Sequence, residues 1–349
     1  MMTGTKKTIM CLLLFCILSS FASALEVTEG RVKLVLHEGA GRFSLYYLSS
    51  AQDSRYVPLF ADEDHRTSVL SIVIGNRIYR LGEAASFKEE AEKTGEGARF
   101  IWTSKNLIVT AAFSFVASKG TPLADGIKMT LDLSNVSDRN LEVGVRLLLD
   151  TCLGEDSDAH FLTDSGDVVE GETTYAQANV PSYWISAKSA SGAAQGLQVM
   201  TRGAQVSPPD SVVFANWKRL NDASWSYETS ASRNFNLLPY SINDSAACHY
   251  YDPVTVPSGS ARTVTVLMGN ISPEGFVPAQ KDDIGAILEK ATAGGEDIDP
   301  ALALAADIET VDELIEEIDE ILASGDVAED DLELINAVIQ ELKKKYQVE

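Results

Sequence analysis

Carboxylates concentrate where Gly154-Glu155-Asp156-Ser157-Asp158 follows an apolar run, with Asp150 before it and Asp164 after it. Clustered hard oxygen donors are calcium chemistry, and Asp150, Asp156, Asp158 and Asp164 are the candidate ligands. The spacing is not that of an EF-hand loop, which wants a glycine at the sixth position and a closing glutamate. The chain has 4 histidines, His37, His65, His160 and His249, and no two stand at metal-ligand spacing within one element, which argues against a histidine-rich zinc site. Nucleophile-elbow, Walker and Rossmann glycine patterns are absent, because Gly39-Ala40-Gly41 leads into a strand rather than a helix. No cofactor is expected if these carboxylates form an ordinary acidic turn of an acidic protein; calcium is the alternative they would suit.

A second chemistry is stacking. Tyr183, Trp184, Trp217, Trp225, Tyr227, Tyr240, Tyr250 and Tyr251 gather in the later part of the chain. On one exposed face, Trp184, Trp217, Trp225, Tyr250 and Tyr251 would form a sugar-binding platform; filling a sandwich core is the other use of aromatic residues in strands. Cys152 and Cys248 either pair as a disulfide or stay as two buried thiols, because pairing depends on a Cα separation that spacing does not supply.

The elements that must position these groups are strands. From Arg31 to about Gly269 the pattern has period two with turn residues at short intervals. Val32, Leu34 and Leu36 alternate before a turn at residues 38–41, and Phe43, Leu45 and Tyr47 follow it. Residues 69–74 and 77–81 flank Gly75-Asn76, whose residues tolerate the positive φ of a tight hairpin. Further strands are expected at 98–104, 107–116, 126–134, 141–149, 183–187, 196–201, 225–229, 246–251 and 261–268, with no strong helical period between them. So many strands without crossover helices predict a mainly β fold, a large antiparallel β-sandwich over residues 25–270.

After Gly269 the pattern changes. Residues 271–298 read as a linker with a short helix, and 299–349 as an acidic helical hairpin. Asp299 is an N-cap with Pro300 at the first helical position, and Gly325 stops the helix. Ile308, Val311, Ile315, Ile318 and Leu322 fall on one stripe, and Leu332, Ile335, Ile339, Leu342 and Tyr346 on another. Residues 291–342 hold seventeen acidic residues and no basic one. Two helices alone bury little area, so the stripes are expected to pack on the sandwich, on the short helix, or on a protein partner or second copy.

At the other end, Lys6 and Lys7, the apolar run from Ile9 to Phe21 and Ala22-Ser23-Ala24 have the form of a signal peptide over residues 1–24. The run is shorter than the ~20 residues a membrane-spanning helix needs, and none of that length follows, so no transmembrane segment is expected after cleavage. The chain is then expected in the periplasm, cell envelope or outside the cell. Its formal net charge of -23 repels nucleic acid and anionic surfaces.

Residues 144–151, Leu153-Gly154-Glu155, His160-Phe161, Tyr250-Tyr251-Asp252-Pro253 and Val256-Pro257-Ser258-Gly259 together resemble elements of poorly characterised exported bacterial β-sandwich envelope proteins of the spirochaete type. The absence of catalytic pairs beside an interaction-type tail suggests a non-enzymatic envelope protein that binds or scaffolds; the resemblance carries no activity and implies, as an alternative, a subunit of a periplasmic assembly such as a flagellar sheath. Asn234-Phe235-Asn236-Leu237 is similar to a segment of the galactose-mutarotase-like supersandwich, which implies carbohydrate binding or processing by a histidine acid and a carboxylate base. Here Arg233 stands nearby and no histidine does.

Overall fold

The computed structural model describes residues 24–279, apart from 51–54, 62–63, 120–122, 156–158 and 189–194, together with residues 336 and 339. Three antiparallel sheets carry the fold, numbered along the chain. A four-stranded meander runs β1 (Ala24–Glu29), β2 (Val32–His37), β3 (Arg42–Ser50), β4 (Arg55–Pro58). A six-stranded sheet has the order β14 (Thr173–Ala176), β17 (Ser211–Asn216), β18 (Ser245–Val256), β11 (Leu141–Asp150), β5 (Val69–Ile74), β6 (Arg77–Arg80). The largest sheet runs β13 (Val168–Val169), β12 (Phe161–Thr163), β15 (Tyr183–Ala187), β16 (Gly196–Met200), β19 (Ala261–Gly269), β10 (Ala124–Asn135), β9 (Leu107–Ser118), β8 (Gly97–Thr103), β7 (Lys88–Thr94). Its tenth strand, β20 (Phe276–Pro278), pairs with β9 beyond the end of β8.

Alternation builds the core. Leu107, Val109, Ala111, Phe113 and Phe115 of β9 and Ile127, Met129, Leu131 and Leu133 of β10 point inward, with Thr110, Ser114, Lys128 and Asp132 on the other face. They meet Val143, Val145, Leu147 and Leu149 of β11 and Leu70 and Ile72 of β5 in one continuous cluster, the buried seam of a sandwich. The hairpin at Gly75-Asn76 forms with Ile74 opposite Arg77, and Gly75 has φ +57, as the two-residue turn requires.

One sheet is buried on both faces. The outer side of the six-stranded sheet, from Val69, Leu148, Val213, Cys248 and Tyr250, is covered by Leu220, Trp217, Trp225 and Tyr227. Leu220 and Trp217 belong to α1 (Trp217–Asp222), a short helix capped by Asn216, whose side chain accepts from Arg219 N at 3.3 Å. Arg146 on that face donates to Leu220 O at 2.6 Å and lies 5.6 Å from the Tyr250 ring, which ties the helix to the sheet.

Two expectations change here. Residues 225–229 are irregular and not a strand: Trp225 and Tyr227 repeat at two because both pack on the sheet beneath them. α1 was hidden because six residues are too few to show a helical period. Residues 1–23 of the expected signal segment, residues 280–298 of the expected linker and the helical hairpin lie outside the described residues, apart from Asn336 and Ile339, which are helical; Ala24 opens β1, and the first part of the expected linker carries the strand β20.

Candidate functional site

At one end of the sandwich, β11 finishes at Asp150, β18 begins at Ser245, and two loops close over the gap. Asp150 N–H donates to Ser68 Oγ at 3.0 Å, its carbonyl accepts from Ala61 N at 3.0 Å, and the Thr67 side chain hydrogen-bonds its carboxylate. Trp217 Nε1 donates to Thr67 O at 2.9 Å, holding that loop against α1. Glu155 Oε1 accepts from Ser245 N at 2.9 Å. Asp244 receives Trp217 N and the Asn216 amide on its carbonyl, both at 3.0 Å, and Ser241 on its side chain.

These anchors bring carboxylate oxygens of Asp150, Glu155 and Asp244 within 4.8 Å of one another. Burial is the main cause that raises Asp150 to about 7, and the nearby Asp244 and Asp64 charges add to it. Burial also raises Asp244. Three carboxylates this close disfavour one another's charge, which a proton or a hard cation would relieve.

His160 borders the trio. Its Nδ1 lies 2.9 Å from Ser245 Oγ and its ring 4.5 Å from that of Phe235, and burial lowers its pKa. Ser245 thus joins His160 to Glu155.

Of the four carboxylates expected as calcium ligands, Asp150 is in the trio. Asp164 instead accepts from Ser182 N at 2.8 Å in the turn after β12, and Asp156 and Asp158 lie outside the described residues. Asp244, nearly a hundred residues from Asp150 in the chain, carried no local signal.

An exposed platform of Trp184, Trp217, Trp225, Tyr250 and Tyr251 does not form. Trp184, Tyr250 and Tyr251 are buried, and they belong to two different sheets. Trp217 and Trp225 are partly buried against the sheet's outer face. Burying large rings is worth more than leaving them in water. Cys152 and Cys248 are free thiols. Cys248 lies under α1 opposite Leu148, whereas Cys152, beyond the strand's end, faces Phe60 O at 3.9 Å.

Between the sheets, a cavity of about 10 Å³ lined by Phe43, Phe100, Trp102 and Met129 has room for one water-sized sphere. A ligand would therefore not be held there.

No protein-family model matches the chain, and no curated protein matches it. Solved structures similar to it include galactose mutarotase-like proteins. One is a galactose mutarotase related enzyme from Lactobacillus acidophilus, 9% identical over 72% of this chain and 98% of the other, TM-score 0.39. Another is a galactose mutarotase-like protein from Lactobacillus casei, 11% identical over 71% and 100%, TM-score 0.33. An α-N-acetylgalactosaminidase from Bifidobacterium bifidum is 10% identical over 76% of this chain and 38% of its own length, TM-score 0.43. Likeness at this level transfers no activity. The resemblance to spirochaete-type envelope proteins has no counterpart among these matches.

Proposed function

We propose that the protein is an exported, non-enzymatic binding protein of the cell envelope, and that its ligand end is the trio Asp150, Glu155 and Asp244. One observation carries the reading: two separate parts of the chain, residues 150–155 and Asp244, deliver three carboxylates whose oxygens lie within 4.8 Å of one another. Oxygens at that spacing fit a calcium ion, whose ligands stand at roughly 2.3–2.6 Å from the metal. Calcium held there would have coordination positions left for hydroxyl groups of a carbohydrate. Calorimetric titration with calcium tests this: saturable heat that disappears in Asp150→Asn and in Asp244→Asn is expected, and a flat wild-type trace rejects it. A glycan array read with and without calcium then tests the carbohydrate.

A second reading, carbohydrate processing, is favoured by His160. Its ring packs at a tilt against that of Phe235, inside the segment similar to mutarotases, and it shares Ser245 with Glu155. An imidazole and a carboxylate on either side of one residue would serve as acid and base to a sugar bound between them. Polarimetry of freshly dissolved sugars with wild type and His160→Gln separates the readings: enzyme-dependent mutarotation lost in the variant supports processing, and its absence in wild type excludes it.

A further inference from the structure

Among the described residues the most exposed large apolar side chains are neighbours: Leu238, Tyr240 and Ile242 are 71%, 73% and 70% exposed, the others 38–50%. They sit on a narrow turn. Leu237 N donates to Ser241 O at 2.9 Å and Ser241 N to Leu237 O at 3.0 Å, closing the turn beneath its tip. Its base is fixed as well. The Asn216 amide donates to Phe235 O and Ser241 Oγ, both at 2.9 Å, and Arg219 Nη2 donates to Asn236 O at 2.8 Å. The tip is thus held in place while its apolar side chains face water, which marks an interaction site rather than a frayed loop.

Charge narrows the occupant. Residues 229–243 contain one charged residue, Arg233, in a chain of formal net charge -23. Arg233 is 3.8 Å from the buried Glu172, and the tip itself, residues 237–242, carries no charged side chain. A second copy would bring two strongly acidic chains together. A specific protein interface needs about 800 Å² from each partner, far more than a six-residue turn presents. A lipid surface needs depth instead of area, and takes a tyrosine at headgroup level with aliphatic side chains below it.

We infer that the turn at residues 237–242 is a membrane-contact finger that inserts Leu238, Tyr240 and Ile242 into a zwitterionic phospholipid surface. The attachment is peripheral. No helix among the described residues is long and apolar enough to cross a membrane.

Flotation of the full chain with phosphatidylcholine vesicles, in the presence of EDTA, tests it. Wild type is expected to float, and the triple variant Leu238→Ser, Tyr240→Ser, Ile242→Ser to lose at least tenfold of the bound fraction with an unchanged circular dichroism melt. Replacing part of the lipid by phosphatidylglycerol should weaken binding, because the chain is acidic. Wild type that stays below the gradient, or a variant that floats equally well, overturns the inference. So does a variant that alters only the sedimentation coefficient, which would make the finger a contact between copies. EDTA keeps the outcome independent of calcium at the carboxylate trio.

Discussion

Trp184 donates its indole N–H to His249 Nε2 at 2.8 Å, across the interior from the largest sheet to the six-stranded one. An indole nitrogen only donates, so Nε2 carries the lone pair and the imidazole proton sits on Nδ1. That Nδ1 is buried and meets no partner among the described residues. Burial holds the histidine neutral, lowering it to about 3. In the unfolded chain the imidazole takes a proton near its ordinary value of about 6.5. Its contribution is therefore present above that value and is lost as pH falls toward 3, by roughly 1.4 kcal/mol per pH unit. Urea unfolding of wild type and His249→Phe at about pH 7 and pH 4.5 checks this. The variant should lose distinctly less stability on acidification, and equal losses would remove His249 from the account.

Asp150 has the opposite slope. Its folded value of about 7 lies above the ordinary carboxylate value of 3.8, so the folded state holds a proton that the unfolded chain has released. Stability from this group is complete below about pH 4 and declines as pH rises through 7, by on the order of 4 kcal/mol at the upper limit. Asp150→Asn keeps the size and removes the charge. It should melt higher than wild type at pH 8 and equally at about pH 3.5; no difference at pH 8 would mean the trio accepts three charges without strain. With calcium bound, the wild-type loss at pH 8 should disappear.

Glu172 has no exposed side-chain surface and binds Arg219 at 2.8 Å, Tyr227 Oη at 2.8 Å and Ser230 N at 3.1 Å. It joins α1 and residues 223–233 to the strand that begins at Thr173. Removing it strands Arg219 and an N–H together, so Glu172→Ala should cost about 3 kcal/mol in denaturant unfolding. Glu90, in an exposed pair with Lys88, should give no measurable change as Glu90→Ala. Comparable losses from the two variants would mean that burial of Glu172 is not what makes it matter.

The residues explain what was legible. Strands whose two faces differ, such as β9 and β10, wrote their period into the sequence as Leu107, Val109 and Ala111 or Met129, Leu131 and Leu133. The Gly75-Asn76 turn was legible because its backbone restricts its residues. Trp225 and Tyr227 misled for the same reason that strands usually do not: both face a buried surface at period two, without a hydrogen-bonded neighbour. The site was half legible. Asp150 and Glu155 stand in one acidic stretch with His160 close behind, but Asp244 and the Ser245 that His160 meets reach it only through the pairing of β11 with β18, and long-range register leaves no mark on local spacing.

Thiol chemistry separates the two cysteines. Burial raises the Cys152 thiol, and the neighbouring Glu155 and Asp150 charges raise it further; burial alone outweighs the Arg146 charge in raising Cys248. Thiolate is the reactive form, so both should be slow toward an aromatic disulfide reagent at neutral pH. Cys152, which is partly exposed, should react first, and Cys248 only as the sheet opens. In urea without reductant both should titrate. Exported chain that yields no thiol in urea would carry a Cys152–Cys248 bridge, and the packing of Cys248 beneath α1 would then have to be rearranged.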